Sequence, residues 1–361
     1  MDQQSPLLGR PARFWKSEGQ KGAVACQACF HNCLIPEGHR GFCQSRANHN
    51  GMLYALNYGF TGALALDPVE KKPLFHFQPG SMTFSVGAPG CNLTCLGCQN
   101  HDLSRPGPAW PGGRYDHGIV FRLGQMAMDN QADSWSFTYS EPTVFLEYAM
   151  DLAQEAHASG LPSIWVTNGS MSADLLKALP PAVEAMNVDL KGFTEKFYSE
   201  VAGGRLAVVK DNIALALSLG IWVEVTTLLI PGLNDSEGEL GELAAFLASL
   251  SPDLPWHVSR FFPRHRQSDV PVTSTKSLLA AREIGLSKGL RFVYLGNVAG
   301  PGFADTVCPG CGRTLVARNG FLVMKDELAG QDRCSFCRTA IAGRWGRDPS
   351  QGQKRLHKLA P

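Results

Sequence analysis

Between Met82 and Leu295 the chain alternates strand-like and helix-like segments, and such alternation points to a parallel α/β fold. Short runs rich in β-branched and aromatic residues predict strands at Met82 to Val86, Ser134 to Tyr139, Ser163 to Thr167, Ala185 to Leu190, Ile221 to Leu229, Trp256 to Phe261 and Arg291 to Leu295. Pro142 to Ser159 and Val208 to Leu219 read as intervening helices. About six or seven βα units fit a full or partial barrel better than a doubly wound sheet. No Gly-x-Gly-x-x-Gly fingerprint follows the first strand to suggest a dinucleotide fold.

Side-chain alternation says which way these strands face. Trp135, Phe137 and Tyr139 share one side of their strand and Ser136, Thr138 and Ser140 the other. Asn187, Asp189 and Lys191 likewise oppose apolar neighbours, as His257 and Ser259 oppose Trp256 and Val258. An ordinary barrel interior is filled by Val, Ile and Leu, so three polar inward faces predict a cavity for a polar ligand. Simple solvent exposure of these faces fits a parallel sheet less well, because both its faces are normally covered.

The eleven cysteines fall into three groups with none left over. Cys26, Cys29, Cys33 and Cys43 form C-x2-C-x3-C-x9-C; Cys91, Cys95 and Cys98 form C-x3-C-x2-C; Cys308, Cys311, Cys334 and Cys337 form C-x2-C-x22-C-x2-C. Such spacing suits metal sites rather than disulfides. Four thiolates saturate an iron–sulfur cluster or a zinc ion, whereas three leave one iron of a cubane open to chemistry. The open set sits just after the first predicted barrel strand, where parallel α/β folds place active sites.

A net charge of +1 gives no global attraction to nucleic acid or an anionic membrane. Met1 to Gly19 has no apolar core of a secretory signal, and Gly220 and Glu224 divide the apolar stretch from Ile213 to Ile230 into helix end and strand. These features predict a cytoplasmic protein without a membrane partner.

The C-x3-C-x2-C motif after the first strand of a βα barrel resembles the radical S-adenosylmethionine (SAM) superfamily, and Cys98-Gln99-Asn100 resembles the activating enzymes of glycyl-radical proteins such as pyruvate formate-lyase. Tyr139-Ser140-Glu141-Pro142-Thr143, Val188-Asp189-Leu190-Lys191-Gly192, Leu229-Ile230-Pro231-Gly232-Leu233-Asn234-Asp235 and Ser259-Arg260-Phe261-Phe262-Pro263 are similar to strand-end motifs of its AmmeMemoRadiSam branch. The resemblance runs from about Cys26 to Cys311. It implies a partial (β/α)6-type barrel over residues 81–300; cysteine spacing adds a cysteine-rich module at 1–80 and a zinc-ribbon-like module at 301–343, and the basic composition of 344–361 predicts a flexible tail.

The resemblance further implies that Cys91, Cys95 and Cys98 ligate a 4Fe-4S cluster whose fourth iron chelates SAM. Reductive cleavage would give methionine and a 5′-deoxyadenosyl radical that abstracts hydrogen from a substrate, with a flavodoxin or ferredoxin as reductant. A protein or peptide substrate follows from the activating-enzyme likeness, and Memo-type and Amme-type proteins are the branch's named companions. The competing reading is a non-catalytic iron–sulfur carrier or scaffold.

By the same resemblance Glu141 would meet the SAM amino group, Ser140 beside it would bind SAM, and Asp189 and Lys191 would meet its methionine part. Glu141 also stands where a capping acid would, before Pro142, and Asp189 with Lys191 could form an internal ion pair. Asn168 could contact ligand or form a turn with Gly169. Arg260, with His257, could reach the cavity, but radical generation needs no general base and His257 is assigned no catalytic role. Gly97 stands where many superfamily members carry an aromatic residue near adenine.

The amino-terminal four cysteines suit zinc or an auxiliary iron–sulfur cluster, with few periodic apolar residues to fold the module unaided. His31 and His39 are unnecessary as ligands. The carboxy-terminal four have zinc-knuckle spacing around predicted strands Thr314 to Ala317 and Gly320 to Met324, with rubredoxin-like iron the competing occupant. That module either docks a protein or closes the barrel's end. No basic and aromatic stripe supports nucleic-acid binding there.

Overall fold

The computed structural model describes residues 9–18, 22–106 and 118–346, and the backbone alone at His357–Lys358. Among the described residues the core is a nine-stranded sheet. Strand β1 (Ala63–Pro68), next to the short edge strand His357–Lys358, runs antiparallel to β2 (Met82–Gly87). Six more strands then add in chain order, each parallel to the last: β3 (Ser134–Phe137), β4 (Ser163–Thr167), β5 (Ala185–Asp189), β6 (Trp222–Leu229), β7 (Trp256–Arg260) and β8 (Val293–Gly296). Sequential order means that every crossover turns the same way, which winds a partial barrel rather than a doubly wound sheet.

The expected strands are present with ends shifted by one or two residues. One shift matters. The strand predicted to reach Tyr139 stops at Phe137, because Tyr139 adopts φ 69° and the Ser140 N–H closes back on Thr138 O at 2.9 Å. Tyr139 therefore leaves the outward aromatic face shared by Trp135 and Phe137 and turns into the cavity. The helix expected from Pro142 opens as a 3-10 turn, Pro142–Phe145, before α-helix Leu146–Ala158. The stretch from Ile213 to Ile230 divides into helix Leu206–Ser218 and β6 as expected. No described helix is long and apolar enough to cross a membrane.

The amino-terminal cysteine segment forms two small antiparallel sheets, one from Trp15–Glu18, Ala23–Cys26 and Leu34–Ile35, the other from Arg10–Pro11, Met52–Ala55 and Arg46–His49. Val24, Ile35 and Leu53 are buried in the same cluster as the barrel core. The fully buried Arg46 makes a two-pronged bond to Glu147 at 2.8 and 2.9 Å, fastening the segment to helix Leu146–Ala158. β1 belongs to the barrel sheet, so the sheet begins before the boundary expected at residue 81.

The carboxy-terminal module is a three-stranded antiparallel sheet, Thr306–Val307, Thr314–Asn319 and Leu322–Asp326, with Gly320 at φ 60° in its hairpin. Leu315, Val316, Leu328, Ile341 and Trp345 pack with Phe75, Phe292 and Tyr294 of the barrel. Arg344 and Trp345, expected in a solvated tail, are instead tied down: the Arg344 N–H donates to His76 O at 2.7 Å and Trp345 is buried. His357–Lys358 pairs with the outer edge of β1. The rest of the expected tail, and the expectation for Met1 to Leu8, lie outside the described residues.

Candidate active site

A cavity of about 660 Å³ opens at the carboxyl ends of the barrel strands, a volume that suits a drug-sized or cofactor-sized ligand. Cys91, Cys95 and Cys98 all line it, and Asn92 to Gly97 carry them on the loop that leaves β2. The backbone N–H of Leu93 donates to Cys91 Sγ at 3.4 Å, and Asn168 Nδ2 approaches the same sulfur at 3.8 Å. Both donors favour a thiolate. Burial first, then the carboxylate of Glu141, pushes the Cys91 thiol up; burial likewise raises Cys95, with Lys191 opposing it. A bound cation would supply the positive charge that deprotonation here requires.

Glu141 is 1% exposed and its carboxylate accepts four hydrogen bonds. Its Oε1 accepts from Thr143 N at 3.1 Å, Thr143 Oγ1 at 2.6 Å and Thr167 Oγ1 at 2.7 Å, while Oε2 accepts from Asn168 N at 2.8 Å. The capping role is therefore real, Glu141 also lines the cavity, and its Oε2, with one donor, keeps acceptor capacity to spare. Burial raises the Glu141 carboxyl above its ordinary value despite these bonds. Asp189 and Lys191 line the cavity as an ion pair at 3.0 Å. Desolvation pulls Lys191 down, but Asp189 and Cys95 outweigh it and the net shift is upward.

Thr138, Ser140, His257 and Ser259 also line the cavity, as the polar strand faces predicted, and so does Asn168; Ser136 does not, its Oγ lying 2.6 Å from Thr83 Oγ1. Asn187 lies deeper and donates to Pro73 O at 2.7 Å. Arg260 does not line the cavity. Alternation along β7 puts it on the opposite face from Ser259, where its Nη2 donates to Thr275 Oγ1 at 2.5 Å. His257 Nε2 donates to Glu224 Oε2 at 2.7 Å.

Several lining residues have no local sequence signal. Lys72 is 2% exposed, bonds Asp67 at 2.6 Å and lies 4.7 Å from the centre of the Tyr139 ring. Burial would raise Asp67, but Lys72, Lys71 and the Tyr139 hydroxyl hold it down at about 2. Reading Ala63–Pro68 as a strand would have exposed this cluster. Gln267 occupies the space beside Gly97: a Cβ on Gly97 would collide with Gln267 Oε1 and come 3.2 Å from Phe261 Cε2. That Oε1 is buried in the cavity wall without a donor.

The carboxy-terminal cysteines converge most tightly. Cys308 and Cys337 sulfurs are 3.5 Å apart, Cys311 and Cys334 3.8 Å, and all four lie within 4.8 Å of one another. Among the described residues this is the one group of its kind, and it can hold a metal ion.

A cavity at the strand ends, with three cysteines on the first βα loop, is the architecture of one class of enzyme. The Radical SAM superfamily matches residues 85–244, and the chain belongs to it. An uncharacterized protein of Methanocaldococcus jannaschii is 40% identical over 317 residues, spanning 87% of this chain and 93% of that one. A probable GTP 3′,8-cyclase of Aeropyrum pernix is 26% identical over 65% of this chain and 70% of its own. The benzylsuccinate synthase activating enzyme of Thauera aromatica is 25% identical over 33% and 36%. The chain is a radical SAM enzyme, and that membership implies a 4Fe-4S cluster and SAM. The reading as a non-catalytic carrier is set aside.

Proposed function

We propose that Cys91, Cys95 and Cys98 hold a 4Fe-4S cluster at the cavity mouth and that the cavity behind them takes SAM. The observation that carries this reading is the shared lining: three thiols, the Glu141 carboxylate and the Asp189–Lys191 pair face one space. When bound, cluster and SAM supply a 5′-deoxyadenosyl radical for hydrogen abstraction. The chain's part is to bind, orient and shield. Glu141 Oε2 accepts from the SAM ammonium, Lys191 neutralises its carboxylate, and Asn168 and Ser140 complete the polar wall. Gln267 Oε1 accepts from the adenine amino group, taking the position beside Gly97 that an aromatic ring would otherwise fill.

The substrate is a protein or peptide, a reading supported by likeness to an enzyme whose name states another enzyme as its target. Memo-type and Amme-type proteins are candidate partners, and a flavodoxin or ferredoxin the reductant. The carboxy-terminal cysteines hold zinc, for which their sulfur separations suit tetrahedral bonds of about 2.3 Å. That module closes the barrel, since its Phe321 lines the cavity. Anaerobic incubation with SAM, reductant and each deuterated candidate partner tests the substrate. Deuterium in 5′-deoxyadenosine identifies it, whereas deuterium transfer from small metabolites alone overturns the protein-substrate reading.

A further inference from the structure

Part of the cavity wall comes from the turn after β1, where Glu70, Lys72 and Phe75 line the space. The barrel holds this turn from one side. The N–H groups of Phe75 and His76 donate to the Glu224 carboxylate of β6 at 2.9 and 2.8 Å. The carboxy-terminal module holds it from the other side through Arg318, whose side chain is fully buried. Arg318 Nη2 donates to Phe75 O at 2.7 Å, its Nε reaches Glu70 Oε1 at 3.4 Å, and its guanidinium carbon stands 4.4 Å from the centre of the Phe75 ring. Nη1 is anchored in turn by Ala304 O and Thr306 Oγ1, both at 2.9 Å. One guanidinium therefore fixes two lining residues.

Removing that guanidinium would leave Glu70 buried beside no cation, with its Oε2 already lacking a partner. The same turn is tied to the module a second time: Arg344 N–H donates to His76 O at 2.7 Å, and Gln78 N–H to Arg344 O at 2.8 Å. Both ties issue from cysteine pairs. Arg318 stands seven residues after Cys311, and Arg344 seven after Cys337. A segment as short as residues 301–343 buries too little surface to order itself, and a metal between its four converging cysteines supplies the missing free energy. The seat of Arg318 thus depends on that metal.

We infer that Arg318 is a positioning residue for the active cavity, and that the metal held by Cys308, Cys311, Cys334 and Cys337 is coupled through it to SAM binding. The inference rests on the reading that this cavity takes SAM. Filling the metal site orders strand Thr314–Asn319, the strand seats Arg318, and Arg318 sets Glu70 and Phe75 in the cavity wall. Such coupling is reciprocal: SAM tightens the metal by the factor by which the metal tightens SAM.

Equilibrium dialysis with SAM on the anaerobically reconstituted full-length protein, beside metal counts, tests the coupling. The double variant Cys311→Ser, Cys337→Ser should lose one metal ion per chain, keep the iron of wild type and bind SAM about fivefold or more weakly. Arg318→Met should keep the metal yet lose SAM affinity to a similar degree, and residues 69–78 should exchange their amide hydrogens faster. Combining all three changes should add little, because both act through one guanidinium. SAM should also slow metal loss to a chromogenic chelator in wild type but not in Arg318→Met, and the cysteine variant should show no SAM-sensitive phase. A merely structural arginine would not make metal retention depend on SAM. Unchanged SAM affinity in the metal-depleted variant, additive losses, or wild-type metal loss indifferent to SAM would overturn the inference. Wild type that carries its iron but binds no SAM would count instead against the proposed SAM cavity, so the two failures are distinct. Should either variant not fold, the chelator assay on wild type decides.

Discussion

The Glu141 carboxylate accepts the backbone N–H of Asn168 at 2.8 Å, tying the end of β3 to the end of β4 beside the cavity. One carboxylate thereby caps the turn at Pro142, joins two strands and presents an oxygen to the proposed SAM ammonium. Glu141→Gln keeps the size but swaps one acceptor oxygen for an NH2. We expect stability to fall by about 1–3 kcal/mol and SAM affinity by tenfold or more. Urea unfolding and equilibrium dialysis with SAM report the two effects separately. Lost stability with unchanged affinity would reduce Glu141 to a cap.

Gln267 should discriminate adenine by its unpaired acceptor. Replacing the adenine amino group with a carbonyl, as in the S-inosyl analogue of SAM, sets acceptor against acceptor. Wild type should bind SAM at least tenfold tighter than this analogue, and Gln267→Leu should lose most of the difference. Competition dialysis measures it. A preference that survives Gln267→Leu would place adenine elsewhere. Gly97→Phe should weaken SAM binding, because the new side chain meets Gln267 and Phe261.

Asp67 is the buried hub of a cluster with the exposed Lys71 at 2.7 Å, the buried Lys72 at 2.6 Å and the Tyr139 hydroxyl at 2.7 Å. Asp67→Asn removes the only anion among these partners and leaves Lys72 buried beside Tyr139. The expected cost is about 3–5 kcal/mol, read by chemical unfolding. A loss below about 1 kcal/mol would mean that Lys72 finds solvent when its partner is removed.

The carboxy-terminal module should loosen in acid through His76. Its ring bonds Tyr294 OH at 2.6 Å and Ala342 O at 2.7 Å, and burial lowers its pKa from 6.5 to about 4. A depressed histidine contributes stability that is fully present above 6.5 and is lost as pH falls toward 4, at up to about 1.4 kcal/mol per pH unit. Glu224 works in the same direction: burial raises it, but His257, His76 and the Phe75 N–H outweigh that and hold it low. Hydrogen exchange at residues 306–345 between pH 7 and 4.5 should rise more steeply in wild type than in His76→Gln. Identical profiles would remove His76 from the account.

How far the sequence carried the structure depends on the reach of each signal. Strand order, the cavity and its polar lining were readable because period-2 alternation is local: Thr138, Asp189, Lys191 and His257 line the cavity as their faces required. The same rule, followed strictly, excludes Arg260 and would have corrected that expectation. Tyr139 was misplaced because its left-handed φ breaks the alternation it appeared to continue. Gln267 and Lys72 are long-range arrivals, brought to the cavity by a loop after β7 and by the turn after β1, and nothing beside them in the chain marks their destination. The Arg46–Glu147 pair, 101 residues apart in sequence, is of the same kind.

The most direct test of the account is product formation by the anaerobically reconstituted protein with SAM and a chemical reductant, beside Cys95→Ala. The account predicts 5′-deoxyadenosine and methionine in equal amounts from wild type, with at least a hundredfold loss in Cys95→Ala while its circular dichroism remains native. No 5′-deoxyadenosine from wild type carrying an intact cluster, or undiminished formation by Cys95→Ala, would contradict it.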